Sequence, residues 1–195
     1  MHHAELSFIP STVTTKSEFW AHVYSQLESL IEGQRGWVSN LSNASALVYH
    51  ALRSFPPFGV GERAVNWCGF YLEASIFPLA NSATTTSTPT LYVGPFNGKP
   101  ACQYIRCIQG KGVCADAFLK RETLVVPNVD EYPGHIACDG ETKSELVIPM
   151  VQQADGIHRT LGVMDLDCLL SNAFDDEDRI GLEKIAKLLV DGCDW

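Results

Sequence analysis

No apolar run in this 195-residue chain approaches the roughly 20 residues of helix needed to cross a bilayer. The opening residues Met-His-His-Ala-Glu-Leu lack the basic and apolar regions of a secretory signal. Positive charge is scarce: 14 lysines and arginines stand against 23 acids, a formal net charge of −9. A surface that neutralises nucleic-acid or lipid phosphates needs the opposite balance, so neither a nucleic acid nor a membrane is expected as a partner. There is no C-x2-C pair, the usual spacing of a structural zinc site. Repeated βαβ units are missing too. Gly110-x-Gly112-x-x-Ala115 therefore reads as a strand-to-helix turn rather than a dinucleotide fingerprint. No cofactor and no metal are expected. The chain reads as cytoplasmic.

What is present is core and sulfur. Hydrophobic residues make up 46% of the chain, enough for one well-packed domain. Seven cysteines is an odd number, in a chain too large for a disulfide-scaffolded mini-protein, and reads as buried, catalytic or metal-binding thiols. Cys68, Cys107 and Cys168 lie in apolar contexts and read as small core residues; Cys193 is near the C-terminus. Cys102-x4-Cys107-x6-Cys114 and His135-x2-Cys138 keep a zinc-binding reading open.

Helical spacing of apolar residues predicts helices over 17–32 and 38–55, the second stopped by Pro56-Pro57. Aromatic-rich 65–72 reads as a strand. A Ser/Thr/Ala/Pro run over 77–90 reads as a long hairpin loop. Further strands are predicted over 91–93, ended by Gly94-Pro95, and over 103–108, 124–126, 144–151 and 160–166. Asp155-Gly156 forms the turn between the last two. A short helix spans 112–120. Asp175 caps a final helix. The order gives an α+β sandwich, with helices gathered on one mostly antiparallel sheet. Residues 1–16 form an N-terminal extension to a single domain over 17–195.

The chemistry centres on Gly134-His135-Ile136-Ala137-Cys138-Asp139. A cysteine in a polar loop beside a histidine and a carboxylate suits a reactive thiolate; an inert loop cysteine is the bland alternative. Cys102 and Cys114 follow glycine-rich turns, and the helix start at Cys114 would favour its thiolate. A second thiol lets the first be recycled as a disulfide. Asp165 and Asp167 flank Leu166, so strand alternation sets them on one face. With Glu145 they form either an acid cluster, able to hold a proton near neutral pH, or a solvated sheet end. Trp67, Phe70 and Tyr71 are candidate pocket walls as well as ordinary core.

Five stretches occur in the order seen in free methionine-(R)-sulfoxide reductases, which are GAF-domain enzymes. They are Gly94-Pro95-Phe96-Asn97-Gly98-Lys99-Pro100-Ala101-Cys102, Gly110-Lys111-Gly112-Val113-Cys114, the Cys138 segment, Ser144-Glu145 and Gly162-Val163-Met164-Asp165-Leu166-Asp167. The chain resembles that family from about Trp67 to its last helix. The resemblance implies a single GAF domain with an inserted Ser/Thr-rich hairpin near 78–90. It implies reduction of free L-methionine-(R)-sulfoxide, with a thioredoxin-like reductant as electron donor. By matching motif it implies Cys138 as nucleophile, Cys102 as main resolving thiol and Cys114 as an accessory one. Glu145, Asp165 and Asp167 are implied as substrate-binding and proton-donating groups, and Trp67 as the wall around the S-methyl group. His135 and Asp139 would then shape the loop. A homodimer is expected from the broadly apolar first helices. The rival reading is a non-catalytic GAF module that senses a small molecule.

Overall fold

The computed structural model describes residues 9–78, 88–136, 139–154 and 156–195. Helix α1 (Lys16–Ile31) begins with a capping box: Thr15 accepts from the Glu18 amide, and the Glu18 side chain reaches back. Its stripe Phe19, Trp20, Val23, Leu27 and Ile31 is buried. Helix α2 (Trp37–Ser54) buries Leu41, Ala44, Leu47, Val48, Ala51 and Leu52, and ends before Pro56-Pro57 as expected. Helix α4 (Asp176–Gly192) starts with the predicted Asp175 cap, which accepts from Glu177 and Asp178 amides.

Six strands form one antiparallel sheet: β1 (Val65–Glu73), β2 (Thr90–Gly98), β3 (Tyr104–Arg106), β4 (Leu124–Val126), β5 (Ser144–Ala154) and β6 (Ile157–Cys168). Their order is β3-β2-β1-β6-β5-β4. The long pair β5–β6 closes through 155–156; Asp155 of that turn lies outside the described residues, as does most of the Ser/Thr-rich stretch. Gly94-Pro95 does not end β2 as expected. The strand runs on to Gly98, and Phe70 faces both residues across a register shift between Gly69 and Tyr71. Turn residues here make a bulge, where a proline lacking N–H interrupts no ladder bond.

Strand alternation then sorts the two faces. Cys68, Phe70 and Leu72 of β1, Leu146, Ile148 and Met150 of β5, and Met164 and Leu166 of β6 are buried in the larger core with the three long helices. Helix α2 covers β1 and β2, α4 covers β5, and α1 packs on both helices. Phe70 thus belongs to this core and not to a pocket wall. Cys68, Cys107 and Cys168 are buried as expected, and so is Cys193. The opposite face carries a smaller apolar cluster, built from Trp67, Tyr71, Val147 and Val163 with the short helix α3 (Val113–Lys120).

One charged junction joins the helix layer. Asp178 is fully buried at the start of α4. Lys16 Nζ lies 2.5 Å from it and 2.7 Å from Asp175, and Trp20 Nε1 donates to it at 2.9 Å. Removing the cation strands a buried carboxylate. Lys16→Met is therefore expected to cost on the order of 3 kcal/mol in urea denaturation. Asp178→Asn, which keeps acceptor and shape without the charge, should cost less.

Candidate active site

Cross-strand register assembles the floor of a pocket on the face away from the long helices. Trp67 pairs with Asp167 and Gly69 with Asp165. Glu145 pairs with Asp167 and Val147 with Asp165. Three carboxylates on adjacent strands are thereby set side by side. Asp165 and Glu145 are only 6% and 5% exposed, so the solvated-sheet-end alternative falls away. Around them lies a cavity of about 380 Å³, also lined by Trp67, Tyr71, Cys102, Cys114 and His135.

Charge crowded into a dry site decides its protonation. Burial pushes the Asp165 carboxyl well above the carboxylate range, and the nearby Glu145 adds to it. Asp167 is raised in the same way, by burial first and then by Asp165, Glu145 and Asp139. Like charges so close disfavour full ionisation, so Asp165 and Asp167 keep a proton to higher pH than an ordinary carboxyl does. One Asp165 oxygen, Oδ1, is buried without a partner, as is Trp67 Nε1. Buried polar atoms are rarely left so unless something binds there.

Cys114 joins this floor. Its Sγ stands 3.4 Å from Asp165 Oδ2 and 3.9 Å from Glu145 Oε1. The start of α3 favours a thiolate, but the balance goes the other way. Burial comes first, then Asp165 and Glu145, and together they raise this thiol well above its ordinary value. Cys102 lies at the pocket wall, half-buried. Cys138, with Ala137, lies outside the described residues.

The residues flanking Cys138 are held at both ends. His135 Nε2 lies 3.4 Å from Glu145 Oε2, so this histidine reaches an acid of the floor as well as shaping the loop. Asp139 accepts from Asn66 Nδ2 at 3.2 Å and from the Glu141 amide at 3.1 Å, and pairs with Lys99 at 3.3 Å. Burial opposes ionisation of Asp139, but those partners hold its carboxyl below the usual range. A further brace is Asp116 of α3. It accepts from Tyr132 Oη and from the Gly110 amide, each at 2.7 Å, and so ties the turn before Cys114 to the segment before Cys138. Gly134, at φ 75°, packs so close to the Gly110 carbonyl that a Cβ there would collide with it.

The sequence alone gives Asp116, Tyr132 and Asn66 no role in the site, because their partners meet only in the fold. It gives Gly69 none either. The Trp67 ring stacks on Phe96 at 5.4 Å and on Tyr71 at 5.7 Å. A Cβ on Gly69 would run into both Trp67 and Phe96. The glycine lets the indole lie flat along the sheet. Gly69→Val is therefore expected to lift Trp67 into the cavity. The rate constant kcat/KM should fall roughly 100-fold, since misplacement by about 1 Å has that effect. Steady-state kinetics would check it, beside an unfolding midpoint that the collision with the Phe96 backbone should lower.

Known proteins share this architecture. The GAF domain family model matches residues 27–190. The free methionine-R-sulfoxide reductase of Saccharomyces cerevisiae is 44% identical over 192 residues, covering 98% of this chain and 94% of the relative. A solved GAF domain, also 44% identical, superposes with a TM-score of 0.82 and covers 100% of this chain and 98% of its own. The free methionine-R-sulfoxide reductase of Neisseria meningitidis, solved with its substrate, is 32% identical with a TM-score of 0.73. It covers 95% of this chain and 92% of its own. With matches this long and this close, the chain belongs to the free methionine-R-sulfoxide reductase family of GAF-domain proteins.

Proposed function

We propose that the protein reduces free L-methionine-(R)-sulfoxide to L-methionine through a cysteine sulfenic acid and an intramolecular disulfide. The observation that carries this reading is a buried, proton-holding carboxylate cluster sharing one small cavity with an indole wall and two thiols. A sensing module has no need of that combination.

The sulfoxide oxygen accepts a hydrogen bond, then a proton, from the Asp165–Asp167–Glu145 cluster. This makes the sulfur electrophilic. The Cys138 thiolate attacks it and a bond forms between the two sulfurs; the protonated oxygen then moves to Cys138 Sγ as the substrate S–O and S–S bonds break, methionine leaves, and Cys138 becomes a sulfenic acid. The Cys102 thiol attacks that sulfenic sulfur, the S–S bond forms and water departs. A thioredoxin-like dithiol then exchanges with the disulfide and leaves oxidised. A carboxylate of the cluster that does not hold the proton offers a seat for the substrate ammonium. Trp67 and Tyr71 offer an apolar wall for the S-methyl group.

A second assignment of the thiols has a specific observation behind it: Cys114 is the cysteine seated on the carboxylate floor. An ammonium placed beside Asp165 and Glu145 would offset their charge and ease loss of the Cys114 proton. In that version Cys114 attacks and Cys138 resolves.

The expectations of a homodimer, an extension over 1–16 and an inserted hairpin near 78–90 carry over as proposals. Val38 on α2 is 54% exposed, and light scattering would read a dimer. No helix among the described residues is long and apolar enough to cross a membrane. Chemistry that starts from reduced thiols suits the cytoplasm.

A donor-coupled assay on separated epimers tests the function. Turnover of the free R epimer is expected, with little on the S epimer or on peptide-bound sulfoxide. Turnover of the S epimer or of peptides alone would overturn the reading.

A further inference from the structure

Cys114, Glu145 and Asp165 each present one ligand atom, and the three atoms lie within 4.8 Å of one another. The sulfur-to-oxygen edges are 3.4 and 3.9 Å. With zinc bonds of about 2.3 Å to sulfur and about 2.0 Å to oxygen, tetrahedral ligands stand about 3.5 Å apart. The two sulfur-to-oxygen edges bracket that length. His135 sits against the other Glu145 oxygen, where it would orient a ligating carboxylate. Cys114, Glu145 and Asp165 all line the cavity.

A second observation points to a ligand at the same place. Asp165 is more than nine-tenths buried, lines the cavity, and keeps Oδ1 without a partner. Lys99, Arg106 and Lys111 line the cavity, but among the described residues no lysine or arginine forms an ion pair with Asp165 or Glu145, and Lys99 is engaged by Asp139 and Glu141. Two acids and a thiol therefore face one another with no lysine or arginine paired to either acid.

We propose that Cys114, Glu145 and Asp165 form a binding site for a thiophilic divalent cation of the zinc class, which shuts the pocket to substrate. On binding, the Cys114 S–H proton and the proton held on the carboxylates are released to solvent, the cation sheds water, and one metal–thiolate and two metal–carboxylate bonds form; no electrons move. Two carboxylates and one thiolate, with water in the fourth position, give a mixed set suited to zinc rather than to calcium or magnesium. The inhibition rests on the reductase reading above, because the same acids are assigned there to substrate. The binding does not.

The experiment uses the whole reduced protein and cobalt(II), a spectroscopic stand-in for zinc. One cobalt per chain is expected, with tetrahedral d–d bands and a thiolate charge-transfer band, all displaced by zinc. Asp165→Asn and Glu145→Gln should each weaken binding roughly tenfold or more while leaving every thiol in place. Cys114→Ser should remove the charge-transfer band, and Cys102→Ser should leave it. Absence of a tetrahedral spectrum in the wild-type protein would overturn the proposal. So would a spectrum unchanged in both carboxylate variants, which would place the metal on other thiols. Zinc inhibition should be competitive with sulfoxide and reversed by chelation. If cobalt binds as expected but sulfoxide does not displace it, the shutting of the pocket is refuted and the site stands. If the protein reduces no sulfoxide, the spectra still decide the site.

Discussion

Replacing Cys138 by serine is expected to abolish turnover of the free R epimer, a loss on the order of 1,000-fold or more in kcat. A serine hydroxyl is a far weaker nucleophile towards sulfoxide sulfur and forms no sulfenic acid. Removing a residue of a nucleophilic unit costs most of the rate that the unit supplies. Cys102→Ser separates the roles. With the nucleophile intact and the resolving thiol gone, one methionine should still be released per chain before turnover stalls at the sulfenic acid, which a dimedone-type probe would label. Cys114→Ser decides between the two thiol assignments. If Cys114 is accessory, this variant keeps single turnover. If it attacks, the first methionine disappears, and the Cys138→Ser protein releases one instead.

Asp165→Asn should lose activity and gain stability together. The loss follows from chemistry: an amide cannot donate the proton that the departing oxygen needs, and such a proton is typically worth about 100- to 10,000-fold. The gain follows from linkage. Burial and Glu145 raise the folded-state value of Asp165, so the native state holds a proton that the unfolded chain gives up. Where the unfolded state binds fewer protons, stability falls as pH rises. For this residue that fall begins near the unfolded carboxyl value and continues up to the raised native one. Asp165→Asn removes it, so the unfolding midpoint at neutral pH should rise above that of the wild type. At about pH 3, below the unfolded carboxyl value, where the carboxyl is largely protonated in both states, the difference should shrink. The kcat of the wild-type protein should fall on the alkaline side as the cluster loses its proton. Asp165→Asn should lose that limb or shift it, because Asp167 shares the titration. A less stable variant, or an unmoved pH profile, would take Asp165 out of the proton-donating role.

Much of the architecture can be read along the chain because its signals are local. The stripe Phe19, Trp20, Val23, Leu27 and Ile31 repeats at helical spacing, and Asp175 with Asp178 announces a helix start in four residues. The acid pair needed only strand alternation, since Asp165 and Asp167 are two apart on one strand. Other features depend on phase or on distant partners. Trp67, Phe70 and Tyr71 look alike as an aromatic run, yet register sends Phe70 to the helices and the others to the pocket. Gly94-Pro95 has the composition of a turn, and only pairing with β1 makes it a bulge. Asp116 has no signature, because Gly110 is six residues away and Tyr132 sixteen, on separate loops. The depressed Cys114 thiol that a helix start suggests is overturned by Asp165 and Glu145, which arrive from strands far along the sequence. Motifs located the chemistry; tertiary burial set its protonation.

The most direct measurement is a single turnover without donor. Reduced protein is mixed with one equivalent of free L-methionine-(R)-sulfoxide, and both methionine release and intact protein mass are followed. One methionine per chain is predicted, with a mass loss of about 2 Da for one new disulfide, and Cys138 in the disulfide-linked peptide. Methionine release with all seven thiols still free, or a disulfide that forms equally well with the S epimer, would contradict the account.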